Sequence, residues 1–251
     1  MEGMKDLSND IIIGKNPVLE AIRSGREINK ILIADSMRQG QFSQIQHMAK
    51  ENGILVTVVP KKKLDELDPG QHQGVIAQVA AYNYFEIEDI FKKAETKNEL
   101  PFFIVLDEIE DPHNLGSIMR TADAVGAHGI IIPKRRAVGL TSTVAKASTG
   151  AIEHVPVVRV TNISMTLEEL KDKGVWVIGA DIKKSKDYRE LEADFPLALV
   201  IGSEGKGISR LVLDKCDFVY RLPMVGHVTS LNASVAGSLL MYEVFRKRNT
   251  L

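Results

Sequence analysis

The chain has 251 residues, 44% of them hydrophobic and 26% charged, with a formal net charge of −1 and a sequence pI near 6.6. It fits one large or two small domains, can bury a core, and lacks the overall basic balance common among nucleic-acid binders. Its apolar runs fall far short of the roughly 20 residues that span a bilayer, MEGMKDLSND has no basic-then-apolar signal pattern, and Cys216 is the single cysteine, so a cytoplasmic protein without disulfide or membrane association is expected.

From the N-terminus the pattern alternates. A helix is expected near 16–24, a strand at ILIA (31–34), a helix over 41–52, a strand at ILVTVV (54–59), a short basic helix, and a strand at GVIAQVA (74–80). This reads as a small α/β domain over residues 1–80. Residues 81–100 are net acidic, lack the strand–helix rhythm found on either side, and read as a linker. From 101 to 251, strands are expected at FFIVL (102–106), GIII (129–132), VPVV (155–158), VWVIGA (175–180), LALVI (197–201) and FVYRL (218–222), with helices between most of them. That alternation predicts a mostly parallel sheet in an α/β domain.

Three segments carry the chemistry. In LVIGSEGKGIS (199–209) an apolar run stops at a glycine cluster. It is not a Walker A loop, because Lys206 is followed by Gly207, and it is a poor dinucleotide fingerprint. Gly202, Gly205 and Gly207 either form a tight turn or bring backbone close to a flat ligand. Glu204 between them either orients a partner or acts as an anion at the next helix start. In RLPMVGHVTSLNASVAGSLLMYEV (221–244), Ser230 and Asn232 precede an apolar helix. One of them can cap it while the other faces a cleft. In VLDEIEDPHNLGSIMRTADAVGAHGIII (105–132), Asp111-Pro112 reads as a helix start beside Asn114. Arg120 lies further along that helix among Leu115, Ile118, Met119 and Ala122, either merely exposed or an anion clamp.

Other signals are weak. The six histidines have no metal-ligand spacing, and no G-x-S-x-G elbow is present. The acidic turn at Asp107, Glu108, Glu110 and Asp111 holds either solvated charges or a cation, the former favoured. No metal is expected. Basic clusters stand at Lys61–Lys63, Lys134–Arg136, Lys183, Lys184 and Lys186, and Arg246–Arg248. Each reads as a solvated face unless several flank one cleft, where they would form an RNA track.

In this order, NLGSIMRTADAVGAHGI, LVIGSEGKGIS and LPMVGHVTSLNASVAGSLLMYEV resemble motifs one, two and three of the SpoU (TrmH-type) branch of the SPOUT RNA methyltransferases. The likeness covers residues 101–251. Residues 10–80, with GKNPVLEAI and HQGVIA, are similar to the family's N-terminal RNA substrate-binding domain of ribosomal protein L30e type. The closest likeness is to bacterial 23S rRNA guanosine-2′-O-methyltransferases. The resemblance implies a trefoil-knotted C-terminal domain, S-adenosylmethionine as cofactor, and a homodimer. Carried across motif by motif, it places Gly202, Gly205, Leu222, Pro223, Met224 and Leu231 at the cofactor. Asn114, Arg120, Glu204, Ser230 and Asn232 fall at polar active-site positions.

The implied reaction is 2′-O-ribose methylation of a guanosine in 23S rRNA. Its difficulty lies in the nucleophile, because a ribose hydroxyl is a very weak acid. Arg120 holds its proton to very high pH, which favours an electrostatic role over that of a base. The apolar positions of its helix would otherwise face solvent, which points to a subunit interface. Two rivals are a tRNA 2′-O-methyltransferase and a non-catalytic RNA-binding ribosome assembly factor.

Overall fold

The computed structural model describes residues 11–37, 40, 42–70, 72–181, 185–227 and 230–249. Two compact units emerge, one comprising the chain up to Asn83 with Gly139–Thr143, the other Tyr84–Val138 with Val144–Leu251.

The first unit runs β1 (Ile11–Ile13), α1 (Lys15–Arg23), β2 (Ile28–Ala34), α2 (Ser43–Glu51), β3 (Val56–Val59), α3 (Lys61–Leu67) and β4 (Val75–Val79). Its sheet has the order β1-β4-β2-β3. Strand β4 lies antiparallel to β1 and β2, and β3 runs parallel to β2. Successive strand side chains point to opposite faces. In β2, Ile31 and Ile33 join a core with Val18, Ile22 and Ile45, while Leu32 and Ala34 join Val59, Leu64 and Ile76. Both faces are covered, so β2 reads as an unbroken apolar run rather than an alternating one. Strand β1 escapes sequence reading because three isoleucines are too few to show a period.

The second unit opens with α4 (Ile87–Lys97) and β5 (Phe102–Asp107), then α5 (Pro112–Ala124), β6 (Gly129–Pro133), α6 (Ser142–Ser148), β7 (Val157–Val160) and α7 (Ile163–Asp172). It continues with β8 (Trp176–Ala180), β9 (Lys186–Asp187), β10 (Leu197–Gly202), α8 (Arg210–Leu213), β11 (Phe218–Arg221) and α9 (Ala233–Arg248). Its seven strands lie in the order β7-β6-β5-β10-β8-β11-β9, every neighbouring pair parallel. From β5 the chain builds outward through β6 and β7, then returns to build the other side through β8, β10 and β11. The reversal sits between β5 and β10, and such a switch point leaves a crevice at the carboxyl ends of the strands.

Three expectations need correction. Residues 81–100 are not a bare linker: α4 buries Ile87, Ile90 and Ala94, and Ile87 and Ile90 join the core of the seven-stranded sheet. Its acidic residues lie elsewhere, Asp89 closing a capping box with Glu86. Strand β7 starts two residues later than read, at Val157, because Pro156 has no N–H to give a ladder. The short β9 gave no periodic signal. Finally, the apolar positions of α5 do not face solvent. Leu115, Ile118, Met119 and Ala122 are fully buried within the chain. The exposed apolar stripe belongs to α9 instead, where Val235, Leu239, Tyr242 and Phe245 are 38% to 52% exposed. The spacing of four, three and three residues puts them on one face.

The basic clusters also divide. Lys61–Lys63 are exposed. Arg136 is paired with Glu108 at 2.7 Å and Arg246 with the buried Glu243 at 2.7 Å. Arg248 donates to the carbonyls of Leu100, Pro101, Ala193 and Phe195. Lys183 and Lys184 lie outside the described residues.

Candidate active site

The site lies at the switch point and is built by three chain reversals. After β5, Asp111 caps α5 by accepting from the His113 N–H at 2.9 Å, with Pro112 in the first helical position. The missing proline N–H costs nothing there. This start fixes Asn114 in the first turn, buried. After β10, the Ser203 and Gly207 backbones pair across a tight loop. Gly205 and Gly207 sit at φ +77° and +71°, a region that L side chains rarely adopt. Gly202 has a different reason: a Cβ there would lie 2.1 Å from the Gly207 carbonyl carbon, so the loop closes only over a glycine. Loop closure presents Glu204 toward α5. Before α9, Asn232 is the N-cap, its Oδ1 accepting from the Ser234 and Val235 N–H groups at 2.9 and 3.3 Å.

These three side chains meet. Asn114 Nδ2 donates to Glu204 Oε1 at 3.0 Å. Asn232 Nδ2 donates to Asn114 Oδ1 at 2.9 Å and also to Glu204 Oε1. Asn232 therefore caps the helix with its oxygen and enters the triad with its amide. Glu204 orients partners rather than anchoring the next helix, whose N-cap is Ser209. Behind the triad, the buried Asp107 accepts from the Ser209 N–H at 2.7 Å and ties the end of β5 to the chain leaving the glycine loop. That role, not a cation site, explains the first of the acidic residues. Among the described residues no His/Cys/Asp/Glu cluster could hold a metal.

Beside the triad lies a cavity of about 420 Å³, which Gly202, Gly205, Leu222, Met224, Ser230 and Leu231 help to line. Its size falls within the range of small-molecule sites, roughly 300–1,000 Å³. Ser203 and Gly205, which flank Glu204 in the chain, and Leu231 and Ala233, which flank Asn232, line it, so the triad stands next to the cavity without lining it. Sequence reasoning missed three of its charged side chains: Asp181 at the end of β8, Lys206, and Arg221 at the end of β11. The only signal was position, since each stands where an apolar run or the glycine loop stops. Two expected residues are not brought in. Pro223 is exposed and does not line the cavity. Arg120 is exposed and makes no hydrogen bond or ion pair with a described residue. It follows Asn114 by six positions, about 120° away around the helix. Val228 and Thr229, in the expected cofactor turn, lie outside the described residues.

Comparison with known proteins agrees with this architecture. Residues 101–242 match the SpoU rRNA Methylase family, and residues 11–85 match the RNA 2′-O ribose methyltransferase substrate-binding domain. The chain is 64% identical over 241 residues to a protein of Bacillus subtilis named as a TrmH family tRNA/rRNA methyltransferase, YacO, covering 96% of this chain and 97% of that one. A similarly named protein of Staphylococcus saprophyticus is 57% identical over 95% of this chain and 96% of its own. Among solved structures, the SpoU methyltransferase AviRb of Streptomyces viridochromogenes with AdoMet aligns at TM-score 0.60, with 24% identity, over 95% of this chain and 90% of that one. An rRNA methyltransferase of Sinorhizobium meliloti aligns at TM-score 0.58, with 26% identity, over 96% and 88%. A parallel α/β sheet with a ligand cavity at its switch point, together with an N-terminal substrate-binding domain, defines an RNA methyltransferase of the SPOUT class. The chain belongs to the SpoU rRNA methylase family.

Proposed function

We propose that this protein transfers a methyl group from S-adenosylmethionine to the ribose 2′-oxygen of a guanosine in 23S rRNA, and that it works as a homodimer in the cytoplasm. The observation that carries the reading is the Asn114–Glu204–Asn232 triad next to a cavity lined by the chain neighbours of Glu204 and Asn232, namely Ser203, Gly205, Leu231 and Ala233. The cavity suits the cofactor chemically. The glycine loop exposes backbone to a flat base, Leu222, Met224 and Leu231 are apolar, and Asp181, Lys206 and Arg221 offer both signs of charge to a ribose and an aminocarboxylate. When bound, S-adenosylmethionine supplies a sulfonium methyl that is already electrophilic and needs neither metal nor covalent intermediate.

The remaining work falls to this chain's own groups. Glu204 takes both amide donors on Oε1, which leaves its second oxygen to accept from a substrate hydroxyl or a guanidinium. Ser230 at the cavity edge positions the ribose or the cofactor carboxylate. As the 2′-oxygen takes the methyl group it gives up its proton to water, and Arg120 supplies a fixed positive charge for the negative charge that develops on that oxygen. An exposed arginine with no partner among the described residues fits delivery to the site of a second copy. A second copy also accounts for the stripe on α9, since a helix that is apolar all round is normally covered.

The N-terminal unit, matched as a substrate-binding domain, supports a folded RNA target. The relatives' names leave tRNA beside rRNA. The test offers purified protein and labelled S-adenosylmethionine to 23S rRNA, to ribosomal precursors and to tRNA, followed by nucleoside analysis. Label recovered as 2′-O-methylguanosine in 23S rRNA is expected. Label confined to tRNA would move the assignment to the tRNA enzyme. Absence of cofactor binding by calorimetry would leave a non-catalytic RNA-binding factor.

A further inference from the structure

A second concavity, away from the cofactor site, lies along α4. Phe85, Lys92, Lys93, Thr96, Lys97 and Pro156 line it, with Asp89 at one end, and its volume is about 460 Å³. Residues 89, 92, 93, 96 and 97 form one stripe, because side chains three and four apart on a helix are neighbours. The opposite face of α4 is already used, with Ile87 and Ile90 in the sheet core.

Its chemistry is unbalanced. Asp89 is committed to the helix start, its carboxylate accepting from the Glu86 N–H at 2.9 Å. Lys93 donates to the His154 carbonyl at 2.7 Å. Lys92 and Lys97 are exposed and form no ion pair with a described residue. Lys93 and Lys97 stand four apart, where like charges weaken a helix. Burial and the neighbouring Lys97 hold the Lys93 ammonium below the ordinary lysine range, with Asp123 and Glu99 opposing them. The groove thus carries three lysines against the single carboxylate of Asp89 in its lining.

Phe85 adds the second half. Its backbone is fixed to the edge strand, pairing with Val158 and donating to the Val157 carbonyl at 2.9 Å. The residue is nevertheless 44% exposed. An aromatic ring held rigid on a strand and open to water beside lysines is the combination that binds unpaired RNA, the ring stacking a base and the cations following phosphates.

We propose that the α4 groove is an auxiliary RNA-binding site that takes an unpaired stretch of the substrate, with a base on Phe85 and phosphates at Lys92, Lys93 and Lys97. The inference rests on the RNA-modifying reading and extends it to a surface outside the cofactor pocket. The test compares wild type with Lys92→Gln/Lys97→Gln and with Phe85→Leu, measuring filter binding of purified 23S rRNA across a salt series and, separately, S-adenosylmethionine affinity by calorimetry. Replacing the two lysines should weaken RNA binding several-fold and lower the salt slope by about one to two. Phe85→Leu should weaken binding with little change in slope. Ultraviolet cross-linking of wild type should attach a nucleotide to the Phe85 peptide. Cofactor affinity should stay at the wild-type value in both variants, which shows them folded. Unchanged RNA affinity and slope with cofactor affinity intact would overturn the proposal and leave the groove to an acidic protein segment. Failure of wild type to bind either rRNA or tRNA even at low salt would instead overturn the RNA reading itself.

Discussion

Asn232 combines two duties that a substitution can separate. Serine is as good an N-cap as asparagine but has no amide to reach Asn114 and Glu204. Asn232→Ser should therefore keep the thermal midpoint within a few degrees while methyl transfer falls at least tenfold. Asn232→Ala should lose both, with about 1 kcal/mol of stability gone through the cap. Equal losses of activity and stability in the serine variant, seen in parallel melts and incorporation assays, would contradict the division. Cys216 is a quieter residue. Burial pushes its thiol up to about 12, and its Sγ lies 3.5 Å from the Val212 carbonyl. Since the thiolate is the reactive form, the native protein should resist iodoacetamide at pH 7.5 and react fully only in urea. Rapid modification of the folded protein would contradict this.

At the scale of elements, two polar fixtures hold the amino ends of the central strands. Arg248 gathers four carbonyls from the segments leading into β5 and β10, and burial brings its guanidinium down to about 10, still charged at neutral pH. Arg248→Ala should cost about 2 kcal/mol in urea unfolding, the scale of losing charge-assisted hydrogen bonds. His128, just before β6, is buried. Its Nδ1 accepts from the Phe102 N–H at 3.0 Å and its Nε2 lies 2.9 Å from Glu99. Burial first, opposed by Glu99, lowers its pKa. The unfolded histidine, titrating near 6.5, then takes up its proton before the folded one. Stability should be level above about pH 7 and should fall as the pH drops below 6.5, until the folded site is protonated. Urea midpoints against pH should show this slope in wild type and lose it in His128→Gln. Most elements were legible because apolar runs of five or six residues flanked by glycine or acidic turns are specific. The helix α4 was not, because its buried residues number only three and lie among charges. Nor was the destination of the α5 apolar face, since α5 alone does not reveal what packs on it.

For the whole molecule, the proposed homodimer rests on the exposed stripe of α9 and on Arg120, which has no hydrogen bond or ion pair among the described residues. Leu239→Glu should give a monomer by sedimentation at micromolar concentration, with methyl transfer lost. Mixing Arg120→Ala with Glu204→Gln should restore part of the activity if sites are shared between subunits. A monomeric wild type would remove the basis of that arrangement. The candidate site itself was largely legible: the motifs pointed to Asn114, Glu204 and Asn232, and the fold brings these three into contact. What the motifs could not reveal is which partners a side chain meets. Arg120 shares the segment of Asn114 yet stands apart from the triad. Asp107 looked like one more solvated acid yet fastens two loops together.

The triad also sets a timetable. Asn232 comes 118 residues after Asn114, and Arg248 comes 148 after Leu100. At ribosomal speeds of about 5–20 residues per second, the first strand of the sheet waits roughly 7–30 seconds for the residue that closes over its amino end. Contacts of such long range also make folding slow. For about the first two thirds of this interval β5 lacks β10, and the strand edge that β10 will cover is open to chaperones or to wrong partners. In refolding from urea, cofactor binding should therefore return in the last phase, together with the burial of α9, and not with the earlier gain of helix.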